Sequence, residues 1–308
     1  PCIKFKDVSY CLYKIREIYK NVKIIISLNK INKKDIPKDK NLEIIISKFK
    51  AIGKKRNIAV NKSTTKYLAF IDSDAYPKKK WLESTFNNLT KKNIGIISGP
   101  NIDPLNQNNS QKIIGQIKKS FLITMRPNLQ KKNNNKKQIV SFMPSVNWIL
   151  KKEIFNSVKQ MDNEMLRNED FDFVHKMKEK KLKTLYLPDC VVYHDNNTFK
   201  HFVKKRFMYG YYMWPVLTKL NYQNFYFYLP LCFALFVLSA PFAIYHEFFY
   251  GFYVAISTIY FILILCETLR ITKKINNFLK SFLVLFLGNI SPGFGMFFGF
   301  FNYLFKKI

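Results

Sequence analysis

Two aspartates, Asp72 and Asp74, stand two residues apart directly after the apolar run Tyr67 to Ile71 (YLAFI). A carboxylate pair on a loop just past a strand sits where open α/β sheets bind ligands, and hard divalent cations want oxygen ligands there. Such a pair can hold Mg²⁺ or Mn²⁺ against a diphosphate. Asp is also a common turn residue, so a solvated loop accounts for the pair taken alone. Upstream, Gly53, Lys54, Lys55, Arg56 and Asn57 (GKKRN) open a helix, where backbone N–H groups and a guanidinium can meet nucleotide phosphate or base. Downstream, Glu169 and Asp170 start a helix inside the acidic run NEDFD. One of them can deprotonate a hydroxyl nucleophile, although helix N-termini attract acidic residues for electrostatic reasons alone. His194 ends a strand next to Asp195, and a neutral imidazole at a strand end is either a third metal ligand or a structural residue.

These residues need a scaffold, and the apolar periodicity supplies one. Val8, Leu12, Ile15 and Ile18 recur at helical intervals, and short β-branched blocks at residues 22–28, 42–47, 67–71 and 94–98 read as buried strands. Helical stretches fall at 54–61, at 77–89 with Trp81, Leu82 and Phe86 inward, at 151–158 and at 170–180. Residues 101–137, with KKNNNKK at 131–137, read as an exposed loop, order resumes at 139–143, and short strands follow at 182–187 and 191–193. The alternation predicts an α/β domain over residues 1–198 with a mostly parallel sheet flanked by helices.

Beyond it the composition changes. Residues 199–214 mix Phe, Tyr and Trp with Lys200, Lys204, Lys205 and Arg206, as in a helix lying in a membrane interface, and 199–224 are read as that helix plus a linker. Residues 225–246 and 248–267 are almost uncharged over the roughly 20 residues that a bilayer core demands. Both are expected to span. A third apolar block, 281–305, is interrupted by Asn289, Ser291, Pro292 and Gly293, so it spans or re-enters. The re-entrant form is favoured, because it returns Lys306 and Lys307 to the side of Arg270, Lys273, Lys274 and Lys280.

The chain has 51 Lys+Arg against 20 Asp+Glu, a formal charge of +31, with 48% hydrophobic residues, which excludes a disordered tail. Residues 225–308 hold six of the basic and two of the acidic residues, leaving 45 against 18, or +27, on residues 1–224. Nucleic acid is discounted as a partner, since Lys, Asn and Ile are inflated together rather than clustered in a groove. Attraction to anionic lipid and to phosphorylated substrates uses the charge better, and the positive-inside rule places the basic domain on the cytoplasmic side of a multi-pass inner membrane protein. Cys2, Cys11, Cys190, Cys232 and Cys266 form no CxxC pair, so neither a disulfide framework nor a zinc finger is expected. The sequence opens at Pro1 with no charged-then-apolar leader, and is read as a piece of a longer chain.

The ordered series GKKRN, YLAFIDSDAYPKKKWL, IISGP, VNWILKKEIF, NEDFDFVHKM and LPDCVVYH resembles an inverting glycosyltransferase of family 2 with the GT-A fold, of the membrane-anchored bacterial type, over nearly all of residues 1–194. The resemblance implies metal ligation by Asp74, metal or nucleotide contact by Asp72, base catalysis by Asp170 with Glu169 beside it, and metal ligation by His194. It places Arg56 and Asn57 against the nucleotide and implies Mg²⁺ or Mn²⁺ as cofactor. Its partners would be a nucleotide-diphosphate sugar donor, a glycan acceptor such as a polyprenyl-linked one, and membrane lipid. Two departures stand out. The family opens with a strand ending in a Pro-x-Tyr-Asn-like turn, of which only Pro1-Cys2 is present, so an incomplete sheet is expected. The next strand ends Ser27, Leu28, Asn29, Lys30 without the acidic cluster that reads a uracil base, so a different nucleotide is open. A metal-dependent nucleotidyl or phosphoryl transferase, and a non-catalytic nucleotide-sugar-binding membrane protein, are the rival classes.

Overall fold

The computed structural model describes residues 4–31, 36–124, 136–196, 198–219, 225–243, 245–272 and 274–307. The chain forms two compact units, Pro1–Pro104 with Leu129–Asp195, and Leu105–Asn128 with Asn196–Ile308.

The first unit opens with α1 (Ser9–Ile18), whose buried face is Cys11, Leu12 and Ile15. The strands β1 (Ile24–Leu28) and β2 (Leu42–Ile46) pair in parallel, with Ile26 opposite Ile44. Next, α2 (Ile52–Lys62) leads to β3 (Tyr67–Ile71), and the chain turns through Asp72 to Asp74 into β4 (Ala75–Pro77). The stretch 77–89 is not the single helix expected from its spacing. It is a turn, a 3-10 turn at Glu83–Thr85 and the short α3 (Phe86–Leu89), with Trp81 buried and Phe86 51% exposed. Then come β5 (Ile94–Ser98), β6 (Asn101–Ile102) and α4 (Asn109–Ile117), the last belonging to the second unit. The first unit resumes with β7 (Gln138–Val140), β8 (Asn147–Lys151), α5 (Lys152–Ser157) and α6 (Glu169–Glu179). It closes with β9 (Lys183–Tyr186) and β10 (Val192–His194).

The main sheet has the order β3-β8-β5-β9-β7, and a smaller one the order β4-β10-β6. The α/β class stands, but the sheet is mixed rather than mostly parallel. Among the described residues of the main sheet, only β5 and β9 are parallel neighbours. The cause is β8, which lies between β3 and β5 and runs against both. Its apolar run is covered on two faces, as a central strand requires. Trp148 and Leu150 pack with Phe155 and Phe173, while Ile149 joins Ile97 and Leu185 on the other side.

Residues 105–124 depart from the domain boundary and from the exposed loop expected over 101–137. There α4 is fixed by a reciprocal cap, with the Gln111 N–H donating to Asn108 Oδ1 (2.9 Å) and the Asn108 N–H to Gln111 Oε1 (3.1 Å). Its Ile113, Ile114 and Ile117 bury against Phe202, Ile264 and Leu285 of the second unit. Residues 131–135 of the KKNNNKK run lie outside the described residues.

The second unit continues through α7 (Phe199–Tyr211), α8 (Trp214–Lys219), α9 (Leu229–Leu238), α10 (Ala240–Ala243), α11 (Glu247–Ile271) and α12 (Phe278–Lys307). Residues 220–224 of the expected linker lie outside the described residues. The first expected span is corrected. Residues 225–246 are not one helix but α9 and α10, and ten residues of α9 reach only about 15 Å, half a bilayer core. The second lies within α11, which contains an 18-residue stretch with a mean hydropathy of 2.1. The third does not turn back: α12 is continuous through Asn289, Ser291, Pro292 and Gly293, and Ile275–Phe305 is long and apolar enough to cross a membrane, as is Glu247–Ile271. Glycine explains how the proline is housed. Gly210 of α7 packs directly on the Pro292 backbone and Gly293 on that of Pro230, approaches that any Cβ would block. Arg206 of α7 is drawn into this packing, its guanidinium donating to the carbonyls of Gly288 (2.9 Å) and Ile123 (3.3 Å).

Trp148 is fully buried, its ring against Phe173 and its Nε1–H donating to the Met143 carbonyl (2.9 Å). Trp148→Ala is expected to cost about 3–5 kcal/mol of stability, and Phe86→Ala no more than about 0.5 kcal/mol. Denaturant titration followed by circular dichroism checks both, and equal losses would contradict this account of the core.

Candidate active site

The turn after β3 presents Asp72, and the start of β4 holds Asp74 in place. Asp74 is fixed from two sides: the Ala75 N–H donates to the Asp72 carbonyl (3.1 Å), and the Asp195 N–H donates to the Asp74 carbonyl (2.9 Å). Because β10 pairs antiparallel with β4, with His194 opposite Ala75, the imidazole arrives beside the Asp74 carboxylate, Nε2 to Oδ1 3.4 Å. One ligand atom from each of Asp72, Asp74 and His194 fits within 4.8 Å of the others. Nε2 of His194 is buried and makes no hydrogen bond. A buried nitrogen without a partner is costly, and facing two carboxylates it has the setting of a metal ligand. Two carboxylates and an imidazole suit a divalent cation. Burial and the negative charge of Asp74 raise the Asp195 carboxyl above its usual range, which reflects the crowding of acids around this point.

Arg56 is the hub of the other half. It lies in α2, 6% exposed, with Nη2 donating to Asp72 Oδ1 (2.8 Å) and Nη1 to Glu169 Oε1 (2.9 Å) and Ser145 Oγ (2.9 Å). Its guanidinium also lies 5.8 Å from the Phe70 ring centre. Gly53, one turn earlier, allows the close approach of α2 to the turn before α6. A Cβ there would come within 2.5 Å of the Asp162 carbonyl and 3.4 Å of the Glu169 Cβ.

On the far side of Arg56, Asn168 takes a left-handed conformation (φ 64°) as the N-cap of α6, a conformation Asn tolerates better than most residues. It delivers Glu169 and Asp170 to the first turn, where the helix dipole favours acids. Their environments differ. Glu169 is buried and ion-paired to Arg56. The Asp170 carboxyl is pushed up to about 7, first by burial and then by the neighbouring Glu169 charge, against the lowering effect of Arg56 and of the Ser145 and Phe171 N–H groups. A carboxyl with that affinity for protons is matched to general-base work near neutrality.

The structure therefore brings Arg56, Asp72, Glu169 and Asp170 together, and Asp72 with Asp74 and His194. It does not bring in Asn57. That amide is occupied by Met161, donating to its carbonyl (2.7 Å) and accepting from its N–H (3.1 Å), with a further bond to Asn163. Arg56 likewise spends its donors on protein acceptors rather than facing outward. Sequence reasoning missed Ser145, a lone serine in a loop with no neighbouring signal, and the Trp81–Asn147–Cys190 network that ties the floor of the unit. In it the Trp81 Nε1–H donates to Asn147 Oδ1 (2.8 Å) and the Asn147 amide to the Cys190 carbonyl (2.8 Å). At the end of β1, Asn29 Oδ1 accepts from the buried Lys55 ammonium.

Residues 8–159 match the family model described as Glycosyl transferase family 2, a stretch that contains Arg56, Asp72 and Asp74 and stops before Asp170 and His194. The pre-mycofactocin glycosyltransferase of Mycobacterium tuberculosis is 23% identical over 156 residues, which cover 50% of this chain and 32% of that protein. The chain thus spans about a third of the length of the curated relatives it matches. Among solved structures, the mannosyltransferase PcManGT from Pyrobaculum calidifontis, in complex with GDP-Man and Mn²⁺, is 10% identical with a TM-score of 0.56, over 94% of this chain and 85% of that one. At that identity the likeness shows the fold alone. By the match over its residues 8–159, the chain belongs to glycosyl transferase family 2.

Proposed function

We propose that the protein is an inverting glycosyltransferase, moving a sugar from a nucleotide-diphosphate sugar to an acceptor hydroxyl. The observation that carries this reading is the linkage of a cation-ready cluster, Asp72, Asp74 and His194, through Arg56 to a carboxyl poised near neutrality, Asp170. Asp72, Asp74 and His194 would hold Mg²⁺ or Mn²⁺, which would supply positive charge for a leaving diphosphate. Asp170 accepts the proton of the acceptor hydroxyl as its oxygen attacks the anomeric carbon, and the diphosphate leaves from the opposite face, so the centre inverts. Glu169 and Arg56 position this machinery: their ion pair fixes the start of α6 relative to Asp72. A nucleotidyl or phosphoryl transferase would use the same cation but has no need for a separate base directed at a sugar hydroxyl.

The donor is proposed as a nucleotide-diphosphate sugar, in line with the GDP-Man bound to the Pyrobaculum protein. The acceptor is proposed to be lipid-linked, such as a polyprenyl-borne glycan. The exposed apolar faces of α11 and α12 support a membrane seat, and the +27 charge of residues 1–224 supports placing that basic part on the cytoplasmic side of the inner membrane.

Asp74→Ala removes a hard oxygen ligand from the cluster. It is expected to abolish sugar transfer and the cation dependence of donor binding while leaving the melting curve close to that of the native chain. Transfer at the native rate in metal-containing buffer would exclude the cluster from the reaction.

The base assignment has a pH signature. Asp170 acts only when charged, so transfer should rise about tenfold per unit below pH ~7 and level off above it. Asp170→Asn should lower turnover by about 10² to 10⁴ with little change in donor binding. Glu169→Gln removes the neighbouring negative charge that raises Asp170, so the acid limb should move to lower pH. An unmoved limb in Glu169→Gln, or a persisting one in Asp170→Asn, would assign the ionisation to another group. The same raised value means that the Asp170 proton favours folding: this contribution is complete below the ordinary carboxylate range and is lost as pH rises through about 7.

A further inference from the structure

The second unit sorts its exposed residues by side rather than by end. In α11 no Lys, Arg, Asp or Glu lies between Phe248 and Cys266, and Phe252, Ile259, Ile262 and Leu269 are half exposed or more along that length. On α12 the exposed residues Leu279, Leu283, Phe298, Phe301 and Phe305 fall within about 100° of one another around the helix, so they form one apolar stripe.

A different flank of α12 is taken by helices that carry cations. First α4 and the turn after it follow α12 in the same direction. Asn109 bonds Asn277 at the outset (2.9 Å), and the Leu122 carbonyl accepts from the Asn289 amide further on (2.7 Å). From there α7 and α8 take over, again in the same direction. Arg206 donates to the Gly288 carbonyl (2.9 Å), Gly295 lies against the Phe207 carbonyl and Gly299 against that of Tyr211. Trp214 then donates to the Met296 carbonyl (2.7 Å), and Thr218 meets Tyr303 (2.9 Å). Small residues that admit a neighbouring backbone hold helices side by side. Lys112, Lys118 and Lys119 on or just past α4, and Lys200, Lys204 and Lys205 on α7, thus stand beside α12 rather than at its ends.

α11 packs elsewhere on the circumference. It runs back along α12, with the Phe261 ring 5.5 Å from Phe282 and the Tyr260 hydroxyl bonded to Asn289 (3.0 Å). At about 100° per residue, its contacts at Phe282 and Asn289 lie roughly 130° from the α7 contacts at Gly288, Gly295 and Gly299. The apolar stripe lies on the third side. α11 and the stripe together therefore face away from the basic helices.

That arrangement conflicts with a crossing. A bilayer core takes about 20 residues of a spanning helix, and every such window of α12 between Phe278 and Phe305 contains Gly288, the level at which Arg206 is bonded. A window placed to cover Leu279, Leu283 and the neighbouring Phe261 puts Arg206, Lys204 and Lys205 near the middle of the core, where charges are costly. A window moved toward Phe305 spares the cations but leaves Leu279, Leu283, Phe261 and Leu269 in water, although each is exposed. Laying the helices flat removes the conflict, because polarity then changes across the layer as it does across the unit.

We infer that α11 and α12 lie parallel to the membrane plane in a single leaflet, with α11 and the α12 stripe among the acyl chains and the basic flank of α4 and α7 at the headgroups. The occupant is a lipid leaflet rather than a second copy of the chain, because the apolar surface is matched on its far side by cations suited to anionic headgroups. The inference rests on the membrane seat proposed for the function and replaces crossing by immersion.

Depth along α11 tests it. Phe252, Ile259 and Cys266 are exposed on one face of the helix and extend over about 21 Å of its axis. Single cysteines are placed as Phe252→Cys or Ile259→Cys in the full chain on a Cys2→Ser, Cys232→Ser, Cys266→Ser background, or Cys266 alone is retained. Each carries a bimane label in vesicles of phosphatidylethanolamine and phosphatidylglycerol that contain lipid brominated at one chosen depth. The same brominated lipid should quench all three labels most strongly, to within about twofold. Strongest quenching of Ile259 from the chain ends, with Phe252 and Cys266 quenched from nearer the headgroups, would mean a crossing helix and overturns the flat pose alone. No quenching at any site overturns the membrane seat itself, and quenching that fades as protein concentration rises assigns the face to a second copy. A second arm uses Glu247→Cys, Lys274→Cys or a cysteine after Ile308 on the same background in intact bacterial cells. A membrane-impermeant maleimide should label none of the three until the cells are permeabilised. A crossing hairpin would put Glu247 and the residue after Ile308 on the side opposite Lys274, so labelling of any one in intact cells overturns the proposal.

Discussion

The candidate site depends on one buried cation. The Arg56 guanidinium is out of water, and a desolvated charge is tolerable only when its donors are satisfied by well-placed acceptors. Asp72, Ser145 and Glu169 provide them, each from a different part of the fold: the turn after β3, the loop before β8, and the first turn of α6. Loss of any one would leave a buried charge or acceptor unpaired. The positions of β3, β8 and α6 relative to α2 are thereby fixed to hydrogen-bond tolerance, and Gly53 makes the approach sterically open.

The same hub separates the acids into roles. Asp72 and Glu169 share the one guanidinium, each in an ion pair with it. Among the described residues no ion pair is seen at Asp170, and burial first and then the neighbouring Glu169 charge raise it toward neutrality. Asp74 looks the other way, toward His194. Two adjacent carboxyls in NEDFD are thus unequal because only one of them reaches Arg56, a distinction no spacing rule contains.

What the sequence made legible follows the same logic. The strand runs YLAFI and IGIIS, the helix at GKKRN and the acids of DSD and NEDFD carry local signals, and they stand where those signals place them. Asn147–Lys151 does not. NWILK has the length and continuous burial of a central strand, but a short apolar run next to a helical one is ambiguous by periodicity alone. Missing it hid the antiparallel insertion that makes the sheet mixed. Asn109–Ile117 looked like loop because Asn, Ser and Gln dominate its exposed side, while its three isoleucines find their partners about 90 to 170 residues later in the second unit. Pro292 and Gly293 read as a break. They are instead the points where neighbouring backbones come closest to α12, a tertiary use of residues whose local propensity says the opposite.

The cation cluster is the least securely built part of the site. Asp72 is anchored by Arg56, but His194 reaches Asp74 through β10, a three-residue strand paired to the three-residue β4 and the two-residue β6. Pairing that short contributes little by itself, and the orphaned His194 nitrogen works against it. The compensation comes from the floor beneath. Asn147 reaches from β8 to the Cys190 carbonyl and accepts from Trp81, so the turn preceding β10 is tied to the main sheet by buried polar bonds. A cation satisfying His194, Asp72 and Asp74 together would join β10 to the end of β3, and any ligand bound only by that assembled arrangement stabilises it by mass action. On this argument the rigid half of the site is Asp170 and its Arg56 hub, whereas the Asp72, Asp74 and His194 half gains its final order from what it binds.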